Sequence, residues 1–380
     1  MNKNAKIVLG LVILVVIVIV VAMSKSSTPV APQAPAEPIK IGFLAPLTGD
    51  AAGLGENMKI AAELARDEIN NAGGVNGRKI ELVIEDGGCD AKIAANAGSK
   101  LVNIDKVTAI VGGACSPETL AVAPMSEQAK IPQISASSTS PSISQAGDYI
   151  FRFIPSDAFQ GKFAAEQLVN DMGKKKIAIL YCLNDWCTGI REVFKGRLGE
   201  VGGEVVADEG YQWDARDLRS QITKIKAANP DAVYFLGFAE STIIGLKQMK
   251  ELGLTAAVFG GDGWDDPKIP QEAGVAADGV RYSIAANRAL PQSFIDEMNK
   301  RTGGKDINTY APRVYDIMKV LANIMTKVGA DGEKVKAELY QVKDYQGIAD
   351  AYTMDANGDV SVANFTVKVF KDGKITELVK

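Results

Sequence analysis

Residues 107–141, VTAIVGGACSPETLAVAPMSEQAKIPQISASSTSP, constrain the fold of this chain more than any other stretch. Two short apolar runs, 107–111 and 131–135, are each followed by a loop of small and hydroxyl-bearing residues. Between them, 118–130 spaces its apolar positions (Leu120, Val122, Ala123, Met125, Ala129) as an amphipathic helix does. Strand, loop, helix, strand, loop is a βαβ unit. Such units build parallel sheets, with ligand crevices beyond the carboxyl ends of the strands. The first loop offers Ser116 and Thr119; the second offers Ser135, Ser137, Ser138, Thr139 and Ser140. Neutral donors at strand ends and helix starts suit a carboxylate, because free N–H groups and the helix dipole favour an anion there. Serine and threonine also cap helices, yet two such loops on adjacent strands predict a site.

Composition narrows the function classes. At 380 residues and 47% hydrophobic content, the chain is long enough for two cores. Its net charge of −4 argues against nucleic acid as a partner. There is no histidine. The commonest general base, the usual Ser–His and Cys–His pairs and most zinc sites are therefore missing, which weakens any enzyme reading.

The N-terminus carries Lys3 and Lys6, then an apolar run over 7–23 broken only by Gly10. Seventeen helical residues span about 25 Å, enough for a thin bilayer. A signal peptide looks similar, with Val20-Val21-Ala22 as a weak cleavage site. No cysteine precedes Cys89, which excludes a lipoprotein anchor. In either case the lysines stay cytoplasmic and the rest is exported. Residues 24–38 form a proline-rich tether with no means of making a core. A tether suits a domain held off a membrane, so an uncleaved anchor is the expectation.

In the globular part, 39–45 reads as a strand, 46–55 as a Gly/Ala-rich loop, 57–72 as a helix and 80–85 as a strand. The loop lacks both the G-x-G-x-x-G fingerprint and the P-loop Lys-Ser/Thr, so no nucleotide cofactor is expected. Four cysteines in an exported chain read as disulfides rather than metal ligands. Three pairings are possible. Cys89 follows the second strand and Cys115 the strand beginning at Val107, so their loops would lie side by side at the same sheet edge, and Cys182 with Cys187 then pairs locally. The C-x4-C spacing is not that of a redox-active C-x-x-C pair.

A family resemblance becomes specific at this point. The segments IKIGFLAPLTG, EINNAGGVNGRKIEL, EDGGCDAKIA, GGACS, ISASSTSP and FRFIPSDAFQG occur in order. They are followed by KKKIAILY, GYQWDARDLRSQITKIKAANPDAVYF, KQMKELGL and FGGDGW. Together, from Ile39 to the C-terminus, these resemble the leucine/isoleucine/valine-type solute-binding proteins of amino-acid ABC transporters. The resemblance implies an α/β type I periplasmic-binding fold: two Rossmann-like lobes with parallel-sheet cores, joined by a three-stranded hinge and here preceded by one N-terminal apolar helix.

The second half reads consistently with this. Helices alternate with apolar strands from 158 to 284, further helices occupy 292–302, 311–327 and 332–341, and a hairpin-like pair ends the chain at 351–354 and 365–370. The sequence DANGD (355–359) faintly resembles a calcium loop but lacks the distal Glu, and reads as a turn. Crossings between lobes are expected near Pro155, Ile284 and Ile348. Lobe 1 would then be 39–156 plus 285–348, and lobe 2 would be 157–284 plus 349–380.

The resemblance also implies a ligand site. Ser116 matches the serine that holds the ligand carboxylate, and Ser138 and Thr139 match second-loop positions for carboxylate and amine. Asp262 matches the acidic residue for the α-ammonium, as Asp where Glu is familiar. Trp186 falls where an aromatic closes over the ligand, Phe238 near a further aromatic, and Leu54 at a side-chain contact. Packing roles compete: Trp186 on the Cys182–Cys187 clip, Phe238 in the lobe 2 core. Glu118, beside Ser116, departs from the pattern by placing negative charge near the carboxylate loop. The expectation is a non-enzymatic binding protein outside the cytoplasm that passes an α-amino acid, branched-chain or otherwise aliphatic, to an ABC permease. Import of short amides or urea, or a ligand-sensing ectodomain, are the alternatives.

Overall fold

The computed structural model describes residues 2–23 and 37–378. Met1–Glu37 and Pro38–Lys380 form two units. In the first, helix α1 covers Lys3–Met23. Its side chains from residue 17 onward, and tether residues 24–36, lie outside the described residues. Among those described, no helix is long and apolar enough to cross a membrane.

The second unit starts with alternating elements: β1 (Ile39–Ala45), α2 (Ala52–Asn71), β2 (Ile80–Asp86), α3 (Ala91–Ser99), β3 (Ala109–Gly112), α4 (Ser116–Ala129), β4 (Gln133–Ser135) and β5 (Ile150–Arg152). The strands form one parallel sheet in the order β2-β1-β3-β4-β5. β1 and β3 are buried almost throughout, as strands covered on both faces must be, which is why they read as continuous apolar runs. The order reverses between β1 and β3, so the loops after these strands diverge and leave a crevice. Helix α2 begins at Ala52, five residues before the predicted start. Gly53 and Gly55 signal a loop, but a Cβ on Gly55 would lie 2.0 Å from the Pro46 carbonyl oxygen. The glycine allows a close backbone approach inside the first helical turn.

A second set follows: α5 (Asp157–Glu166), β6 (Lys176–Cys182), α6 (Asp185–Glu200), β7 (Glu204–Tyr211), α7 (Arg219–Ala227), β8 (Ala232–Leu236), α8 (Ala239–Glu251), β9 (Ala257–Gly260), α9 (Lys268–Ala273) and β10 (Arg281–Ala285). Then come α10 (Gln292–Thr302), α11 (Ala311–Val328), α12 (Gly332–Leu339), β11 (Tyr345–Gln346), β12 (Ala351–Tyr352), β13 (Phe365–Lys371) and β14 (Lys374–Glu377). The second sheet runs β14-β13-β10-β9-β8-β6-β7, parallel from β10 to β7, with β13 and β14 added antiparallel. Helices α10 and α11 return to the first lobe and cover α2.

The chain end differs from expectation. The segments at 351–354 and 365–370 do not pair with each other: β12 pairs with β11, and β13 with β10 and β14. Residues 349–361, assigned from sequence to lobe 2, sit against lobe 1 instead. The Arg152 N–H donates to the Gly358 carbonyl at 3.0 Å, and Asp359 pairs with the Arg152 guanidinium. The sequence missed this because a short turn of small polar residues carries no periodicity that reveals its partner. We propose the lobe division 39–156 plus 285–361 and 157–284 plus 362–380.

Helix α11 staples the crossings. Buried Arg313 donates to the Phe153 carbonyl at 3.3 Å and to the Ala286 carbonyl at 2.8 Å, touching two crossings. One turn on, Asp316 accepts the N–H groups of Ile348 and Ala349 at 2.8 and 2.9 Å. The Ala286 N–H reaches the Asn364 carbonyl at 2.9 Å, tying the second crossing to the third.

Candidate functional site

A cleft of about 630 Å³ opens at the carboxyl ends of both sheets, lined from both lobes. Its first wall comes from the hydroxyl-rich stretch, which divides sharply. Ser135 Oγ, Thr119 Oγ1 and Ser138 Oγ all donate to the Gly113 carbonyl, at 2.6, 3.0 and 2.9 Å. Ser137 Oγ donates to the Ala114 carbonyl at 2.7 Å, and Ser140 Oγ to that of Asp185 at 3.2 Å. These groups hold the loops together. Thr139 Oγ1 alone among them is buried in the cleft wall with no hydrogen-bond partner among the described residues. Ser116 stands in the first turn of α4 and lines the cleft, its Oγ accepting the Ser140 N–H at 3.2 Å. Ser138 departs from the expected set: its side chain is turned into the loop and does not line the cleft.

Glu118 is fully buried beneath this wall rather than facing it. Its carboxyl accepts the N–H groups of Cys89 at 2.9 Å and Cys115 at 3.0 Å. It therefore clamps the two ends of the Cys89–Cys115 disulfide. Burial pushes its pKa up to about 7, against the backbone donors. The expected charge beside the carboxylate loop is thus a structural pin. Gly87 makes room for it, since a Cβ there would sit 2.3 Å from Glu118 Oε1.

The floor is acidic. Asp262 lies in a short turn after β9, buried, with Oδ1 unpartnered among the described residues. Asp157, the first residue of α5, is fully buried behind the cleft lining; neither carboxyl oxygen makes a direct hydrogen bond to a described residue, while the nearby Thr139 hydroxyl and Arg152 guanidinium favour its ionised form. Burial raises both carboxyls above the ordinary aspartate range, and the negative charge of Asp262 raises Asp157 further. Unpaired buried carboxylates are costly. Asp262 Oδ1 beside the Thr139 hydroxyl in the cleft wall, with Asp157 adding negative charge behind them, makes a receptor for a cationic donor with several N–H groups. Asp157 was missed because Ser156-Asp157 reads as an ordinary helix start, and Ser156 does cap α5.

The remaining wall is apolar. Trp186 and Phe238 stack obliquely with ring centroids 4.9 Å apart and both line the cleft, as does Leu54 in the first turn of α2. Trp186 lies between the members of the Cys182–Cys187 disulfide, so the clip sets its ring in the cleft wall instead of removing it from the site. Phe238 is half-buried and packs both on the main core and, across the cleft, on Ala51 and the Cys89–Cys115 disulfide of the facing lobe, where Leu54 packs as well. Outside this contact, Arg216 meets both carboxylate oxygens of Asp50 at 2.7 Å across the mouth of the cleft. Among the described residues, no group of three or more His, Cys, Asp or Glu side chains is placed to hold a metal ion.

Residues 38–374 match the family described as periplasmic binding protein. The chain belongs to that family. This periplasmic binding protein is 32% identical over 353 residues to a leucine-, isoleucine-, valine-, threonine-, and alanine-binding protein of Pseudomonas aeruginosa, covering 90% of this chain and 93% of the relative. It is 30% identical over 345 residues to an amino acid binding protein of the same organism, covering 90% and 92%. Among solved structures, the leucine binding protein LivK of Thermotoga maritima superposes with a TM-score of 0.84 at 26% identity, covering 90% of this chain and 98% of that one. LivJ of Streptococcus pneumoniae, in complex with isoleucine, gives 0.82 at 28%, covering 90% and 99%. A benzoate-bound solute binding protein of R. palustris gives 0.81 at 21%, covering 90% and 95%, and is a likeness of fold alone. The type I periplasmic-binding fold in two lobes is thereby established, and with it an extracytoplasmic solute-binding role without enzymatic chemistry.

Proposed function

We propose that this periplasmic binding protein captures an α-amino acid with an apolar side chain in the cleft and delivers it to the permease of an ABC importer. Ser116 and the amino-terminal turn of α4 take the carboxylate, where the helix dipole and a hydroxyl donor favour an anion. Thr139 and Asp262 take the ammonium, and Asp157 adds negative charge behind them. Trp186, Phe238 and Leu54 enclose the side chain, and helix α1 tethers the protein to the membrane. The observation that carries this reading is that Thr139 Oγ1 and Asp262 Oδ1, both on residues lining the cleft, are buried polar atoms without partners among the described residues. A benzoate or a short amide leaves the two carboxyls without a cation, whereas an ammonium satisfies them together with the hydroxyl.

The test is calorimetry of residues 39–380, refolded to remove co-purified ligand. The panel is leucine, isoleucine, valine, threonine, alanine, acetamide, urea and benzoate. One-to-one binding of an aliphatic amino acid that is lost in Asp262→Ala is the expected outcome. Binding restricted to amides or benzoate overturns the amino-acid assignment.

A further inference from the structure

The turn at 355–359, which the ligand site as described does not use, is linked to it through one buried guanidinium. Arg152, at the end of β5, is fully buried. Its Nε donates to Asp359 Oδ1 at 2.6 Å, and its Nη2 to Asp359 Oδ2 at 2.8 Å and Ser144 Oγ at 2.7 Å. Its Nη1 donates to the carbonyls of Thr139 at 3.0 Å and Ser140 at 2.9 Å. All five guanidinium donors are thus used, in the bidentate geometry that makes arginine strong and directional.

The hold on Thr139 reaches further than one residue. In a trans peptide the C=O and the following N–H point in opposite directions. Fixing the Thr139 carbonyl on Arg152 therefore aims the Ser140 N–H away from it, and that N–H donates to Ser116 Oγ at 3.2 Å. One peptide plane sets the relation between Thr139 and Ser116. Asp359 is itself held firmly. Asp355 Oδ1 accepts the N–H groups of Asn357 and Asp359 at 2.8 and 3.0 Å, and Ser144 Oγ donates to Asp359 Oδ2 at 2.6 Å. Gly358 lets the turn approach β5, since a Cβ there would fall 2.4 Å from the Ile150 carbonyl oxygen.

We propose that Arg152 and Asp359 are positioning residues for ligand capture: they fix the Thr139–Ser140 peptide and so the spacing of the two hydroxyls that meet the ligand. This rests on the assignment of Ser116 and Thr139 to the ligand site. The pair also joins that peptide to the segment entering the third crossing, so the ligand loop and the hinge strand share one anchor.

The test compares Arg152→Lys and Asp359→Asn with wild type, with Lys130→Met, at an exposed ion pair, as control. Lysine keeps the charge but lacks the planar fork. Three quantities are read: affinity for the amino acid that wild type binds, hydrogen exchange at the Ser140 amide in ligand-free protein, and the circular dichroism spectrum. The expected result is about a 10- to 100-fold loss of affinity in both variants. Faster Ser140 exchange should accompany it, with native dichroism and an unchanged control. Wild-type affinity and exchange in folded variants overturn the proposal. If wild type binds nothing in the panel, the function reading fails, and Ser140 exchange alone decides: faster exchange in the folded variants supports the anchor, and unchanged exchange overturns it. Should Arg152→Lys fail to fold, Asp359→Asn carries the same comparison.

Discussion

The Tyr310 hydroxyl lies 3.0 Å from the Asp262 carbonyl oxygen and 3.1 Å from Asp262 Oδ2. Tyr310 is buried just before α11, on the lobe facing Asp262. The contact occupies one carboxylate oxygen and leaves Oδ1 for the ligand. Tyr310→Phe removes this hold without changing the ring. It is expected to weaken amino-acid binding about 10-fold, the worth of a hydrogen bond to a charged group. Calorimetry reads this directly, and Asp262→Ala should cost more.

Binding should depend on pH. Burial, and for Asp157 the nearby Asp262, raise the Asp262 and Asp157 carboxyls above the ordinary value of 3.8. A ligand ammonium pairs with their ionised forms, so below the raised values a proton must leave before the cation can be held. Affinity is therefore expected to fall as pH drops from neutrality toward the ordinary carboxylate range. Titrations at a series of pH values, with Asp157→Asn beside wild type, check this; the variant should show the shallower dependence.

Glu118 predicts a stability effect of definite sign. Its folded pKa, near 7, lies above the ordinary 4.5 because the carboxyl is buried. The folded state thus retains a proton that the unfolded chain has already lost between those values. Its contribution is fully present below pH 4.5 and is lost as pH rises through 7, by about 3 kcal/mol in total. Thermal melts of wild type and Glu118→Gln across this window should show the glutamine variant lacking that part of the slope.

The Cys89–Cys115 disulfide closes a separation of 26 residues, worth about 3.5 kcal/mol in the chain-entropy model. Replacing both cysteines by serine should lower stability by roughly that amount. It should also weaken binding, since Phe238 and Leu54 pack on the bridge and Ser116 follows it directly. The Cys182–Cys187 clip spans 5 residues and should cost less, about 2 kcal/mol. Denaturant titration and calorimetry on both double variants separate the two effects.

The exposed Arg216–Asp50 pair spans the mouth of the cleft. Being exposed on the arginine side, it should matter little: Arg216→Met is expected to change affinity less than about 5-fold, and less still at high salt. A larger effect would show that the pair governs closure.

The alternation of apolar strands and amphipathic helices was legible because both sheets are mostly parallel and their central strands are covered on both faces, so those strands read as nearly unbroken apolar runs. The two disulfides followed from cysteine placement: the loops after β2 and β3 open at one sheet edge, although β1 lies between those strands, and Cys182 and Cys187 are only five residues apart. Ser116, Thr139 and Asp262, named as ligand contacts through the family segments that carry them, all line the cleft. Ser138 was not separable from Thr139 in sequence, because only the direction of each side chain distinguishes a hydroxyl that binds the Gly113 carbonyl from one that faces the cleft. Asp157 was hidden by its resemblance to a helix start. Tyr310 lay more than forty residues from Asp262 with no periodic signal to join them, and Arg152 with Asp359 more than two hundred apart.

The return of α10 and α11 to cover α2 has a consequence for how the chain matures. A polypeptide leaving an export channel amino terminus first presents β1 to β5 long before residues 292–328 arrive. Until then α2 has an apolar flank with nothing to bury it against, and Arg313 has not yet reached the Phe153 carbonyl. Most strands of the other lobe, β6 to β10, form one uninterrupted stretch with short-range pairings and can settle first. The lobe begun earlier is thus completed later, and the interval between them is when this molecule most needs protection from aggregation.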